Sequence, residues 1–235
     1  MPQALIVAHG APSNPNPQND AVAALAKAVG ALLPDWLIRG ATLAKPGALE
    51  AALQGMTAPL IYPFFMAEGW FTGRELPRRV ALAGGGLSTQ IRPFGTDPHL
   101  PALIAQTTIK AAKDGGIDPN STTLILAAHG SKVARKSKDS SYAMAKTLRD
   151  LTPFADIRVG LIEEPPFLAD VARLQTPALC LPFFALRAGH VEGDIPDALA
   201  KAGFAGPLLD AIGEHPSVPA LIAAALKRSA SQPPA

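Results

Sequence analysis

Leu124-Ile125-Leu126-Ala127-Ala128-His129-Gly130 is a short aliphatic run that stops at a histidine followed by glycine. Near the start of the chain, Leu5-Ile6-Val7-Ala8-His9-Gly10 reads the same way, with the two His-Gly pairs 120 positions apart. Working outward, Pro63-Phe64-Phe65 matches Pro182-Phe183-Phe184 at an offset of 119. Pro101-Ala102-Leu103-Ile104-Ala105 matches Pro219-Ala220-Leu221-Ile222-Ala223 at 118. Three anchors in one order, drifting by a residue each time, mark an internal repeat. The sequence predicts two copies of one unit, residues 1–115 and 121–229, joined by a Gly- and Asp-containing linker, Asp114 to Asn120. Each copy has an ordinary domain size.

Within the second copy the pattern alternates strand and helix. Thr122–Ala128, Ile157–Ile162 and Ala178–Leu181 are apolar runs of strand length. Lys138–Leu151 has Tyr142, Ala145, Leu148 and Leu151 at helical spacing, and Pro165–Leu174 is a short helix with proline in its first turn. Helices are also predicted over Asp194–Ala202 and Val218–Lys227, and the first copy repeats this order. Continuous apolar strands separated by helices specify a parallel sheet covered on both faces. The predicted fold is α/β: two tandem Rossmann-like domains, each a parallel sheet flanked by helices, related by internal pseudo-symmetry. Two such domains facing one another leave a cleft, and ligands bind beyond the carboxyl ends of the strands.

Composition excludes several function classes. Of 235 residues, 21 are Lys or Arg and 19 Asp or Glu, a net charge of +2, too balanced for a dedicated nucleic-acid binder. Hydrophobic residues at 48% suffice for a large core. No apolar run reaches the ~18 residues of a membrane span, and the start, Met1 to Gly10, reads as a first strand rather than a leader. The single cysteine, Cys180, excludes an intrachain disulfide and a Cys-rich metal site, and a cytoplasmic location is expected.

The chemistry-bearing residues gather at strand ends. His9 and His129 close the first strand of their copies. His190 follows the Phe183-Phe184 strand end in a glycine-containing loop, and Glu163-Glu164 follows another strand of the same copy. His129, His190 and a carboxylate from Glu163 or Glu164 converging on one edge suit a borderline divalent metal such as Fe, Co, Ni or Zn. One of the two glutamates is expected simply to favour a helix N-terminus. The first copy lacks the set: Phe71 stands where His190 stands, and Leu43 and Ala44 where the two Glu stand. It is expected to supply a wall and a lid, through Phe65, Trp70 and Phe71. The loop Ser131 to Lys138 is basic, with Lys132, Arg135 and Lys136, and Arg187 lies near the other site loop. The equivalent first-copy loop, Ala11 to Gln18, has no charge. His99 and His215 are expected at the rim.

The pattern His129-Gly130-Ser131, a basic polar loop, Glu164-Pro165, Pro182-Phe183-Phe184, Ala188-Gly189-His190-Val191 and Asp194-Ile195-Pro196 resembles the CbiX-type sirohydrochlorin chelatases. These are class II tetrapyrrole chelatases related in fold to protoporphyrin ferrochelatase. The resemblance spans both copies and is densest over residues 124–199. It implies insertion of Co²⁺ (cobalamin route) or Fe²⁺ (siroheme route) into sirohydrochlorin, with the metal a transient substrate and no organic cofactor. It also implies His129 and His190 as catalytic and metal-holding residues, with Glu163 or Glu164 assisting. Lys132, Arg135, Lys136, Arg187, His9 and Phe71 would then bind the polycarboxylate macrocycle. No nucleic acid or membrane partner is expected; a monomer suffices, and a dimer stays open. The rivals are a metal- or tetrapyrrole-binding homologue without turnover and a phosphohistidine enzyme. The latter needs an arginine before its histidine, where this chain has Ala8 and Ala128.

Overall fold

The structure is a computed structural model describing residues 1–131 and 135–231, with the side chains of 135–137 outside that description. In chain order the first half contains β1 (Gln3–Ala8), α1 (Pro15–Leu32), β2 (Leu37–Thr42), α2 (Ala48–Leu53) and β3 (Leu60–Pro63). A π-helical turn, Phe71–Glu75, then runs into α3 (Leu76–Leu82), followed by β4 (Thr89–Gln90) and α4 (Leu100–Asp114). The second half contains β5 (Thr123–Ala128), α5 (Arg135–Leu151), β6 (Asp156–Leu161), α6 (Leu168–Val171) and β7 (Ala178–Pro182). A π-helical turn, His190–Asp194, leads into α7 (Ile195–Ala202), and α8 (Val218–Ala230) ends the described chain.

Both sheets are parallel, ordered β2-β1-β3-β4 and β6-β5-β7. The predicted α/β class with helix-flanked parallel sheets is what the structure has. β5 is buried along its whole length, because helices cover both of its faces. Burying Leu124, Ile125 and Leu126 contributes roughly 1.5–3 kcal/mol each. Ile125, Ala127 and Cys180 project into a cluster with Leu168, Val191, Ile195 and Leu199, fixing α6 and α7 against the sheet. Burial pushes the Cys180 thiol up to about 12, so it packs as a small apolar group. Beyond β7, Leu208 forms a lone parallel bridge to Cys180, at the place β4 holds in the first sheet.

Three local expectations shift. On α5 the buried stripe is Ser141, Met144, Ala145 and Leu148, while Tyr142 and Leu151 are exposed. The helical period was legible, but Ser141 is buried by giving its hydroxyl hydrogen to the Lys138 carbonyl (2.7 Å). The helix expected over Pro165–Leu174 is a single turn, Leu168–Val171. Pro166 and Phe167 are instead drawn alongside the end of β6, where the Leu161 amide donates to the Pro166 carbonyl (2.9 Å). His190 opens a helical turn rather than sitting in a loop.

The compact units are residues 1–97 with 216–235, and residues 98–215. The last helix of each sequence copy therefore belongs with the other copy's sheet: α8 packs on α1, and α4 on α5. The sequence boundary near 115–121 follows the repeat, while compactness follows these helix contacts. Among the described residues no helix is long and apolar enough to cross a membrane.

Candidate functional site

The carboxyl edge of the second sheet is built by backbone bonds between consecutive strand ends. The Phe183 amide donates to the Ala127 carbonyl (2.7 Å), and the Glu163 amide to the His129 carbonyl (3.0 Å). Gly130 continues with φ +71°, and a Cβ there would sit 3.0 Å from Glu164 Cγ, so the turn requires glycine both for its dihedral and for its close approach. His129 is thereby turned out at the end of β5. Val191 and Ile195, buried four residues apart, anchor the π-helical turn, leaving His190 and Asp194 one position earlier on its neighbouring face.

These elements bring His129 and His190 together. Their ring centroids are 4.5 Å apart with planes at 83°. Phe184 lies 6.4 Å from the first ring and 6.2 Å from the second. His129 Nδ1 is 2.7 Å from the Gly130 carbonyl oxygen, and His190 Nδ1 is 2.6 Å from Asp194 Oδ2. A carbonyl and a carboxylate only accept, so each imidazole donates from Nδ1, and in its neutral form has its lone pair on Nε2. Among the described residues no hydrogen bond occupies either Nε2. Two half-exposed imidazole lone pairs at one strand edge can accept protons or hold a divalent ion loosely.

The glutamates divide. Glu164 Oε1 accepts from the Ser131 amide (2.9 Å), and its Oε2 lies 3.4 Å from Lys138 Nζ. The Ser131 amide above all, and Lys138 after it, hold its carboxyl below the usual range against the opposing push of burial. Glu164 thus braces the His129-Gly130-Ser131 turn. The Glu163 carboxylate carries no hydrogen bond or ion pair among the described residues. The expected convergence of a carboxylate on the two imidazoles is not preformed: among the described residues, no three His, Cys, Asp or Glu groups gather as a metal cage.

The basic residues divide as well. Lys132 and the side chains of Arg135 and Lys136 lie outside the described residues. Arg187 is not poised as an open dock. Its Nη2 donates to Asp210 (2.6 Å) and its Nε to Glu214 (3.1 Å), because the loop after β7 lies beside the 210–214 segment. His99 immediately precedes α4, and burial holds the His215 imidazole below its usual value.

The first half repeats the geometry with different chemistry. His9 Nδ1 is 2.8 Å from the Gly10 carbonyl, and its ring meets Phe71 at 4.6 Å and 88°. Phe71 stands against His9 as His190 stands against His129, and packs on Phe65 (6.4 Å) and Trp70 (5.1 Å). One residue enters the sequence reading only as part of a motif and without a site role: Asp194, four positions after His190. An acid at that helical spacing from a histidine was the available signal.

The helix-flanked parallel sheets fit the tetrapyrrole chelatases that the sequence resembles, and the comparisons give the family. The family model described as CbiX matches residues 123–229. The solved structure of CbiX, the terminal enzyme for biosynthesis of siroheme in denitrifying bacteria, is 46% identical, covering 99% of this chain and 100% of that chain, with a TM-score of 0.90. The chain belongs to the CbiX family. More distant structures share the fold. SirB from Bacillus subtilis with Fe³⁺ is 17% identical over 98% of this chain and 96% of its own, with a TM-score of 0.72. The sirohydrochlorin chelatase SirB from Bacillus subtilis subspecies spizizenii, in complex with cobalt, is 18% identical over 99% and 97%, with a TM-score of 0.70. A comparison with curated proteins finds no match.

Proposed function

We propose that this chain is a metal chelatase of the lyase class that inserts a divalent metal, Fe²⁺ or Co²⁺, into sirohydrochlorin. The observation that carries the reading is the pair His129 and His190, 4.5 Å apart with both Nδ1 atoms engaged. Metallation releases two pyrrole N–H protons as the ion enters the ring. Two neutral imidazoles at the strand edge supply two acceptor lone pairs, and either can ligate the incoming ion first. A two-imidazole site without a third preformed ligand holds the ion loosely, as a metal that must leave with the product requires. Glu163, whose amide binds the His129 carbonyl and whose carboxylate is uncommitted, is the group we assign to offset charge or relay a proton. The 46% identical relative acts in siroheme biosynthesis, which favours Fe²⁺ as the metal here.

The two halves are proposed to be copies of one chelatase-type unit. Matching sheet orders support this, as do π-helical turns at the same offset of 119 residues. In this reading the second copy is active and the first, with Phe71 beside His9, is degenerate. The basic loop carrying Lys132, Arg135 and Lys136 is the proposed dock for the carboxylates of the macrocycle. The absorbance of sirohydrochlorin, followed anaerobically with Fe²⁺ or Co²⁺ in excess over the protein, tests turnover. The reading expects many macrocycles metallated per chain above the spontaneous rate. Stoichiometric binding without turnover would instead make the chain a binding homologue.

A further inference from the structure

The two histidines of the site are backed differently. His129 gives its Nδ1 hydrogen to a neutral peptide carbonyl, whereas His190 gives its own to the Asp194 carboxylate at 2.6 Å. A short, charge-assisted bond of that kind is stronger than its neutral counterpart and fixes both tautomer and ring rotation. The pair sits at an i,i+4 spacing inside one π-helical turn, and Val191 and Ile195 pin that turn to the core. His190 therefore cannot swing without breaking either the bond or the packing.

The first half serves as an internal comparison. Its π-helical turn also ends in an acid, Glu75, four residues after Phe71. There the acid is buried and taken by two guanidinium groups, Arg78 (2.9 Å) and Arg79 (2.7 Å). At the matching positions of the second half stand Asp197 and Ala198, which bring no cation to the turn. The turn keeps its carboxylate in both halves, but only where the residue four positions earlier is histidine does that carboxylate serve an imidazole.

We infer that Asp194 is a positioning residue of the site: it holds His190 with the proton on Nδ1 and presents the Nε2 lone pair toward His129. The inference rests on the chelatase reading for its consequence, while its geometry can be measured apart from it. The experiment compares wild type with Asp194→Ala, Asp194→Asn and a control, Glu192→Ala, on the exposed face of the same turn. Histidine ¹H–¹⁵N NMR reports which ring nitrogen of His190 carries hydrogen. Steady-state metallation gives kcat and KM, and titration with Co²⁺ alone gives metal affinity. The expected result is Nδ1–H in wild type, loss of that single tautomer in Asp194→Ala, and a fall of roughly 10–100-fold in kcat, with a parallel loss of Co²⁺ affinity. KM for sirohydrochlorin should stay within about twofold, because the macrocycle is not the group Asp194 touches. Asp194→Asn, nearly isosteric, should fall between the two and serves if the alanine variant does not fold. A folded Asp194→Ala protein with an unchanged His190 tautomer, or with kcat within about twofold of wild type, overturns the inference. A tautomer change in a protein that never metallates sirohydrochlorin would leave the positioning bond standing and overturn the chelatase reading.

Discussion

Glu163 and Glu164 are adjacent in sequence and of identical chemistry, yet backbone geometry gives them different work. Glu164 is bound by the Ser131 amide and braces a turn, whereas the Glu163 carboxylate is uncommitted. Glu163→Gln should lower kcat by at least about tenfold at unchanged Tm, as for loss of an acid–base group. Glu164→Gln should lower Tm and loosen His129. Equal kinetics for both variants would remove this assignment. Which glutamate acts was not legible in the sequence, because it depends on where an amide 33 residues away points. A second residue-scale prediction concerns Glu75, whose carboxyl the Arg78 and Arg79 guanidinium groups hold at about 2 instead of 4.5. Its folded-state pKa is depressed, so its contribution to stability is complete above about pH 4.5 and is lost as the pH falls toward 2. The Tm difference between wild type and Glu75→Gln should be constant at neutral pH and shrink across that interval; a difference that persists at pH 2 would contradict it.

At the scale of elements, the site depends on how the segment after β7 is carried to its π-helical turn. The 3₁₀ turn Ile212–Glu214 backs that segment so closely that a Cβ on Gly213 would lie 2.0 Å from the Ala185 carbonyl oxygen. Gly95 meets Met66 in the same way in the first half, at 1.9 Å. Gly213→Ala and Gly95→Ala should each destabilise by about 1–3 kcal/mol, the usual cost of overpacking. Only Gly213→Ala should also slow metallation, because it displaces the segment leading to His190. Chemical denaturation beside initial rates checks both halves of this prediction. The strands were legible because apolar runs of strand length bounded by Gly and Pro have few other uses. The π-helical turn was not: His190 to Asp194 contains a glycine and reads as loop until Val191 and Ile195 are seen anchoring it in the core.

Over the whole molecule, three sequence anchors predict a repeat, but the packing of α8 with residues 1–97 and of α4 with residues 98–215 was not legible, since helix-to-helix packing leaves no mark on sequence order. α8 completes the first unit with Val218, Ile222 and Leu226 buried, and Arg228 donates to Asp97 at 2.7 Å. Asp97 is buried, so Arg228→Ala should cost about 3 kcal/mol, the lower end for breaking a buried pair, because Arg228 itself is partly exposed. Thermal unfolding checks it, and an unchanged Tm would contradict the part given to α8. The division of labour proposed for the halves rests on His129 and His190 facing one another while His9 faces Phe71. It is tested most directly by the initial rate of sirohydrochlorin metallation in wild type, in the double variant His129→Ala with His190→Ala, and in His9→Ala. The double variant should fall to the spontaneous rate while His9→Ala retains turnover; a double variant that still metallates, or a His9→Ala protein that does not, would contradict the account.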